Sequence, residues 1–148
     1  MTVRVCSVGG IELRVQPLAF FVLAGACVIG RLYDLLQAML ALTLHEAAHV
    51  MVARAFGCRV CTVELQPFGG VARMRDAYLD PHAERCIASA GPVASLIIAG
   101  TVSLACRLVP MIGRRAEAFL AFNLALGAIN LLPALPLDGG RIVRSMLA

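Results

Sequence analysis

Leu40-Ala41-Leu42-Thr43-Leu44-His45-Glu46-Ala47-Ala48-His49-Val50-Met51-Val52 sets three ionisable groups inside an apolar stretch that runs from about Leu32 to Phe56. An ionisable group held in an apolar helix without compensation costs several kcal/mol, so residues of this kind in such a place ask for a chemical reason. The spacing supplies one. On a helix, His45 and His49 stand one turn apart on the same face, so both imidazoles can reach one zinc ion, and Glu46 projects beside them. A carboxylate there can take a proton from water activated by the metal and later deliver it to a leaving amine. Arg54 marks the near end of the apolar run, which puts His49 and His45 about 7 and 13 Å from it at 1.5 Å per residue.

Three further apolar stretches flank this one, at about Leu18–Gly30, Cys86–Val109 and Ala116–Leu137. With 60% hydrophobic residues in 148 and a mean hydropathy of +0.85, the chain has more apolar surface than one small soluble domain can hide from water. Lipid is the solvent that such stretches suit, since a hydrocarbon layer of about 30 Å takes roughly 20 helical residues to cross. The expected fold is an all-α membrane protein of about four transmembrane helices with a small membrane-associated β-hairpin, forming a single domain over residues 1–148. The hairpin is read from the period-two pattern of Val60–Met74, turning at Pro67–Gly70, and a second one from Met1–Gln16 around Gly9–Gly10. Gly57 is expected to cap the second stretch, and Asp80–Pro81 to open the third. Pro133 and Pro136, followed by Gly139 and Gly140, are expected to unwind the fourth near its end.

All 13 basic residues are arginine. If the stretches alternate in direction, nine of the 13 fall on one side and only Arg31, Arg107, Arg114 and Arg115 on the other, which places the amino terminus and the Gly57–Arg85 connection in the cytoplasm. These arginines are dispersed, with no basic run or aromatic platform, so the net charge of +4 does not point to nucleic acid. Cys58 and Cys61 form a lone C-x-x-C without the second half that a structural zinc site requires, and read as small apolar fillers.

A catalytic zinc commonly takes three protein ligands and keeps one position for water. His82, Glu64, Asp76 and Glu84 lie in the polar connection, where a solvated side chain is the default reading. Asp138 ends the proline-broken segment on the side that holds His49, and is the candidate third ligand. Asn130, Gln66, Phe68, Gly69 and Gly70 are candidates for holding a substrate. A helical substrate in lipid must unwind before it can be cut, and the edge of the Val60–Met74 hairpin offers an extended segment a place to pair.

His45–His49, Pro67-Phe68-Gly69-Gly70, Ala90-Gly91-Pro92 and Asn130-Leu-Leu-Pro-Ala-Leu-Pro-Leu-Asp138-Gly-Gly-Arg141 together resemble the site-2 protease family of intramembrane zinc metalloproteases, in particular its stage IV sporulation protein FB subgroup. The resemblance spans about Leu40 to Arg141. It implies one zinc per chain bound by His45, His49 and Asp138, Glu46 as general base, and Asn130 and Pro136 shaping the site. It also implies a multi-pass protein of the bacterial cell membrane that cleaves membrane-embedded or membrane-associated proteins near the cytoplasmic face, such as a sigma-factor precursor, under regulatory or inhibitory membrane proteins. Ser95 stands where many members carry asparagine, so a polar contact to substrate is expected to be made differently here. Members of the subgroup usually continue into further helices and often a nucleotide-sensing domain, whereas these residues are expected to form the protease core alone. Two other readings stay open: a binding protein that keeps the fold without cutting, against which Glu46 speaks, and a transporter, which would repeat polar residues across several spans.

Overall fold

The computed structural model describes residues 3–8, 11–15, 18–58, 60–66, 69–74 and 80–147, with side chains described for 21–58 except 23 and for 80–147 except 110, 112, 114 and 115. The order of elements is β1 (Val3–Val8), β2 (Ile11–Val15), α1 (Leu18–Val28), α2 (Leu32–Ala55), β3 (Val60–Gln66), β4 (Gly69–Met74), α3 (Pro81–Leu108), α4 (Pro110–Asn130) and α5 (Asp138–Leu147). Helices make up most of it. The strands form one sheet in the order β1-β2-β3-β4, antiparallel within each hairpin and parallel between β2 and β3, where Glu12 pairs with Thr62 and Val15 with Leu65. Both expected hairpins are present, and the parallel register between β2 and β3, which was not expected, joins them into one sheet.

Of the four expected spans, two are supported by length and composition. Among the described residues two helices, α2 and α3, are long and apolar enough to cross a membrane. α1 has 11 residues, about 16 Å of helix and half a hydrocarbon layer. The continuous apolar part of α4 covers only Ala116–Asn130.

The helix ends follow local chemistry. Asp80 precedes Pro81, whose fixed φ and missing N–H suit a first helical position, and α3 starts there. At the other end of α2, Gly57 has φ +78°, a left-handed conformation that costs a residue with a Cβ about 1–2 kcal/mol. It lets the Cys58 and Gly57 amides reach back to the carbonyls of Ala53 and Arg54 at 3.0 and 2.9 Å, and Cys58 then packs with Ala53 and Ile87.

Burial runs along the helices at i, i+4. On α2 the buried positions are Gln37, Ala41, His45, His49 and Ala53, and on α3 they include Ala83, Ile87, Gly91, Ser95 and Ala99. Small residues let two helices approach closely, so the α2–α3 seam has space only where the imidazoles lie. The large side chains point outward: Leu36, Leu40, Met51, Ile97 and Leu104 are each at least half exposed. Water would make that arrangement costly, whereas lipid solvates it.

Candidate metal centre

His45 and His49 enter the α2–α3 seam from α2 and are almost completely buried. Their outer nitrogens are tied to α3. His49 Nδ1 lies 2.7 Å from the carbonyl of Ile87, which only accepts, so Nδ1 carries the proton and Nε2 presents a lone pair when the ring is neutral. His45 Nδ1 lies 2.9 Å from Ser95 Oγ, a contact that allows the same tautomer. The inner nitrogens meet each other at 3.2 Å.

Asp138 completes the group. After α4 ends at Asn130 the chain turns tightly, with the Ala134 amide bonded to the Leu132 carbonyl and the Leu137 amide to the Ala134 carbonyl, both at 2.8 Å. Asp138 then begins α5, and its Oδ2 lies 3.2 Å from His45 Nε2 and 3.1 Å from His49 Nε2. Burial pushes its carboxyl up, but the contacts with His45 and His49 outweigh that and lower it to about 2. Gly139 and Gly140 are needed for the approach, because a Cβ on either would strike the backbone of Leu131 and Leu132 or of Ala134.

The three donor atoms suit a metal ion. Two ligands about 2.0–2.1 Å from one tetrahedral zinc lie roughly 3.3–3.4 Å apart, close to the separations found here. Two imidazole lone pairs and a carboxylate oxygen repel at this range unless a cation or a proton sits among them. His45, His49 and Asp138 are the group able to hold a metal among the described residues. Glu46 is not a member of it. Partly buried on the same turn, it lies within electrostatic reach of His49, His45, Asp138 and Arg141, as suits a base rather than a ligand.

Two contacts of this centre go beyond the reading of the sequence. Gly91, named in the sequence only as part of Ala90-Gly91-Pro92, lies directly against the inner nitrogens: a Cβ built on it would collide with His49 Nε2 and come within 2.6 Å of His45 Nε2. Ser95 is fully buried and its Oγ bonds His45 Nδ1, a role the sequence did not suggest. The i, i+4 run 83-87-91-95 on α3 was the signal that could have found both. Glu84, expected as a solvated charge, is instead ion-paired with Arg141 and Arg144 on α5. His82 is exposed, with Cys86 about 4 Å away on the next turn and Phe56 across from it, and takes no part in the centre.

The candidate substrate residues are placed less closely. Asn130 donates to the Leu126 carbonyl of its own helix at 3.0 Å, and Pro136 is exposed and follows a cis peptide bond. Gly69 and Gly70 begin β4, paired with Gln66 and Leu65. Phe68, Pro67 and Asp76 lie outside the described residues, as do the side chains of Glu64, Gln66 and Cys61.

The chain is similar to known proteins. The chain is 42% identical over 137 residues to Rip3 of Mycobacterium tuberculosis, covering 88% of this chain and 33% of that protein. It is 39% identical over 109 residues to the zinc metalloprotease MJ0392 of Methanocaldococcus jannaschii, covering 71% and 31%. Stage IV sporulation protein FB of Bacillus subtilis matches at 28% over 134 residues, covering 90% and 46%. The chain thus spans between about a third and a half of the length of these curated relatives. In three dimensions it resembles the site-2 protease from Methanocaldococcus jannaschii with a TM-score of 0.82 and 28% identity, over 99% of this chain and 72% of that one. The family model described as peptidase family M50 matches residues 35–113 and 112–148, most of the chain, and the chain belongs to that family of zinc metalloproteases.

Proposed function

We propose that this chain is the core of an intramembrane zinc metalloprotease, with His45, His49 and Asp138 as the ligands of one zinc and Glu46 as the general base. The observation that carries the reading is the meeting of three buried donors within 3.1–3.2 Å of one another, with a non-ligand carboxylate on the same helical turn. When bound there, zinc supplies the Lewis acidity that polarises a peptide carbonyl and makes water acidic enough to attack at neutral pH. Glu46 takes the proton from the attacking water and gives it to the departing amide nitrogen. Ser95 and the Ile87 carbonyl hold the outer nitrogens of the two histidines, which keeps Nε2 of each turned to the centre.

The substrate class is membrane-embedded or membrane-associated protein, cut near the cytoplasmic face. A sigma-factor precursor is one example of the class, in keeping with the likeness to the sporulation protein. β4 ends the sheet order and packs on α2, the helix of the histidines, so an extended segment added to its outer edge would run past the centre. Gly69 and Gly70, which begin β4, would serve that edge, and Phe68, Asn130 and Pro136 are the further candidates for contact with substrate.

Four crossings remain part of the proposal, with α1 and α4 joining α2 and α3 in a multi-pass bacterial membrane protein. Two contacts support it. The pairing of β2 with β3 means that the chain leaves and regains one side through α1 and α2, and the packing of α5 on α3 requires the same of α3 and α4. With the arginine bias, that shared side is the cytoplasm.

The test is co-expression with candidate membrane-bound precursors, comparing the native chain with Glu46→Gln. The variant keeps the side chain's size and removes the base, so cleavage falls by about 10²–10⁴-fold while zinc content stays at one per chain. A variant that cuts at the native rate sinks the mechanism.

A further inference from the structure

Asp138 is fixed by more than its own turn. α5 lies along the first turns of α3, and arginine side chains from both helices fix its position. Arg144 Nη2 is paired with Glu84 Oε1. Arg141 Nε approaches the same Oε1 at 3.9 Å, Arg141 Nη1 approaches Asp138 Oδ1 at 3.8 Å, and Arg85 Nη1 donates to the Ser145 carbonyl at 3.2 Å. Glu84 keeps only 17% of its side-chain surface exposed and Arg141 28%, so these charges are partly sheltered from solvent.

The two carboxylate oxygens of Asp138 are thereby distinguished: Oδ2 faces the histidines and Oδ1 faces Arg141. We propose that Glu84 is a positioning residue for the metal centre, acting through Arg141 to set the Asp138 carboxylate so that one oxygen alone is presented to the ion. Glu84 anchors Arg141 from α3, the helix that also supplies Ile87 and Ser95 to the histidines. All three ligands are thus oriented from a single helix. Arg144 serves a different end. It ties the far turn of α5 to Glu84 and has no contact with Asp138 among the described residues. The proposal rests on the zinc reading of the site.

A group that orients a ligand carboxylate changes metal affinity about 10–100-fold when removed. The experiment measures zinc affinity by chelator competition in the detergent-solubilised chain, with the thermal melt of each metal-free variant recorded beside it. Glu84→Gln and Arg141→Gln are each expected to lose at least about tenfold in affinity. The double variant should lose no more than the larger single loss, since both act through one chain of contacts. Arg144→Gln is expected to lower the melting temperature while leaving zinc affinity within twofold of native. Unchanged affinity in Glu84→Gln overturns the proposal, as do additive losses in the double variant. An Arg144→Gln loss equal to that of Glu84→Gln also overturns it, because the effect would then be general loosening of α5. Should Glu84→Gln not fold, Arg141→Gln decides alone, and native affinity there overturns the proposal. A native chain that takes up no zinc overturns the reading of the whole site, whereas native uptake with an indifferent Glu84→Gln overturns only this inference.

Discussion

His45 and His49 reach the metal centre by the period of one helix, whereas Asp138 reaches it across 89 residues of chain from His49. The histidine pair needs only that α2 be helical, since two side chains four apart share a face wherever the helix lies. The aspartate needs an interrupted α4, two tight backbone turns, two glycines that pass close to the Leu131–Leu135 backbone, and an arginine on its other oxygen. The first kind of placement is local and robust, and the second is distributed over contacts that must all hold. The two kinds meet on α3, which presents a bare glycine to the histidines and an anion to the segment that carries Asp138.

The most damaging change falls where the local placement depends on its neighbour. Gly91→Ala puts a methyl group where His45 Nε2 and His49 Nε2 converge, so zinc content per purified chain is expected to fall close to zero. Helix propensity acts the other way, by up to about 1 kcal/mol in favour of alanine. Overpacking the buried seam costs about 1–3 kcal/mol, which outweighs that gain, so the metal-free variant should melt at or below the metal-free native chain. Full zinc content in Gly91→Ala would show that the histidines can retreat, and that the seam is looser than the close packing of α2 on α3 indicates.

Asp138→Asn tests the distributed placement itself. It keeps the shape and hydrogen-bonding reach of the side chain and removes the charge, so zinc affinity is expected to fall by more than about a hundredfold, beyond the usual range for groups outside the ligand set. Asp34→Asn is the control. Its exposed pair with Arg31 at 2.8 Å has little influence on anything distant, and zinc affinity should match the native value. Equal affinities in the two variants would remove Asp138 from the ligand set.

Much of this was legible in the residues, and what was not has a physical reason. The histidine pair and Glu46 could be read because helical spacing fixes their geometry before any packing is known. Gly57 and Pro81 could be read for a similar reason, since a left-handed cap and a fixed φ are local demands. Helix α5 was passed over because Asp138-Gly139-Gly140 resembles a turn. The glycines serve close backbone approach at the helix start, a tertiary fact with no local mark. Glu84 was misread in the same way: a glutamate near a helix start is usually solvated, and only the return of α5 turns it into the anchor for Arg141 and Arg144. The parallel pairing of β2 with β3 joins residues about fifty apart, so the two alternating segments could be seen singly but not as one sheet. The first span was legible only as an apolar stretch, because hydropathy measures apolar length and carries no mark of the turn at Ile29–Gly30 that ends α1 after 11 residues.

The smallest effect expected at the centre belongs to Ser95, and it separates orientation from ligation. Its Oγ is the group bonded to His45 Nδ1, at 2.9 Å and with no exposure to solvent. An imidazole that binds metal through Nε2 must carry its proton on Nδ1, and the Ser95 hydroxyl, able to accept as well as donate, can take that hydrogen bond and fix the ring plane. Ser95→Ala removes the acceptor without adding volume. The ring stays on its helix, and Nδ1 is left buried without a partner. Zinc affinity is then expected to fall by about tenfold, the lower end of the range for groups that orient ligands, so the centre still fills at saturating zinc. Ser89→Ala provides the matched control on the same helix, since Ser89 Oγ donates only to the carbonyls of Arg85 and Cys86, at 2.9 and 3.1 Å. Chelator competition on both variants, with nitrogen-15 NMR of the histidine rings in the metal-free state, reads affinity and tautomer together. Ser95→Ala should shift protons from Nδ1 toward Nε2 at one histidine, and Ser89→Ala should leave both signals in place. Native affinity with unchanged tautomers in Ser95→Ala would mean that packing against α3 orients His45 without help from the hydroxyl.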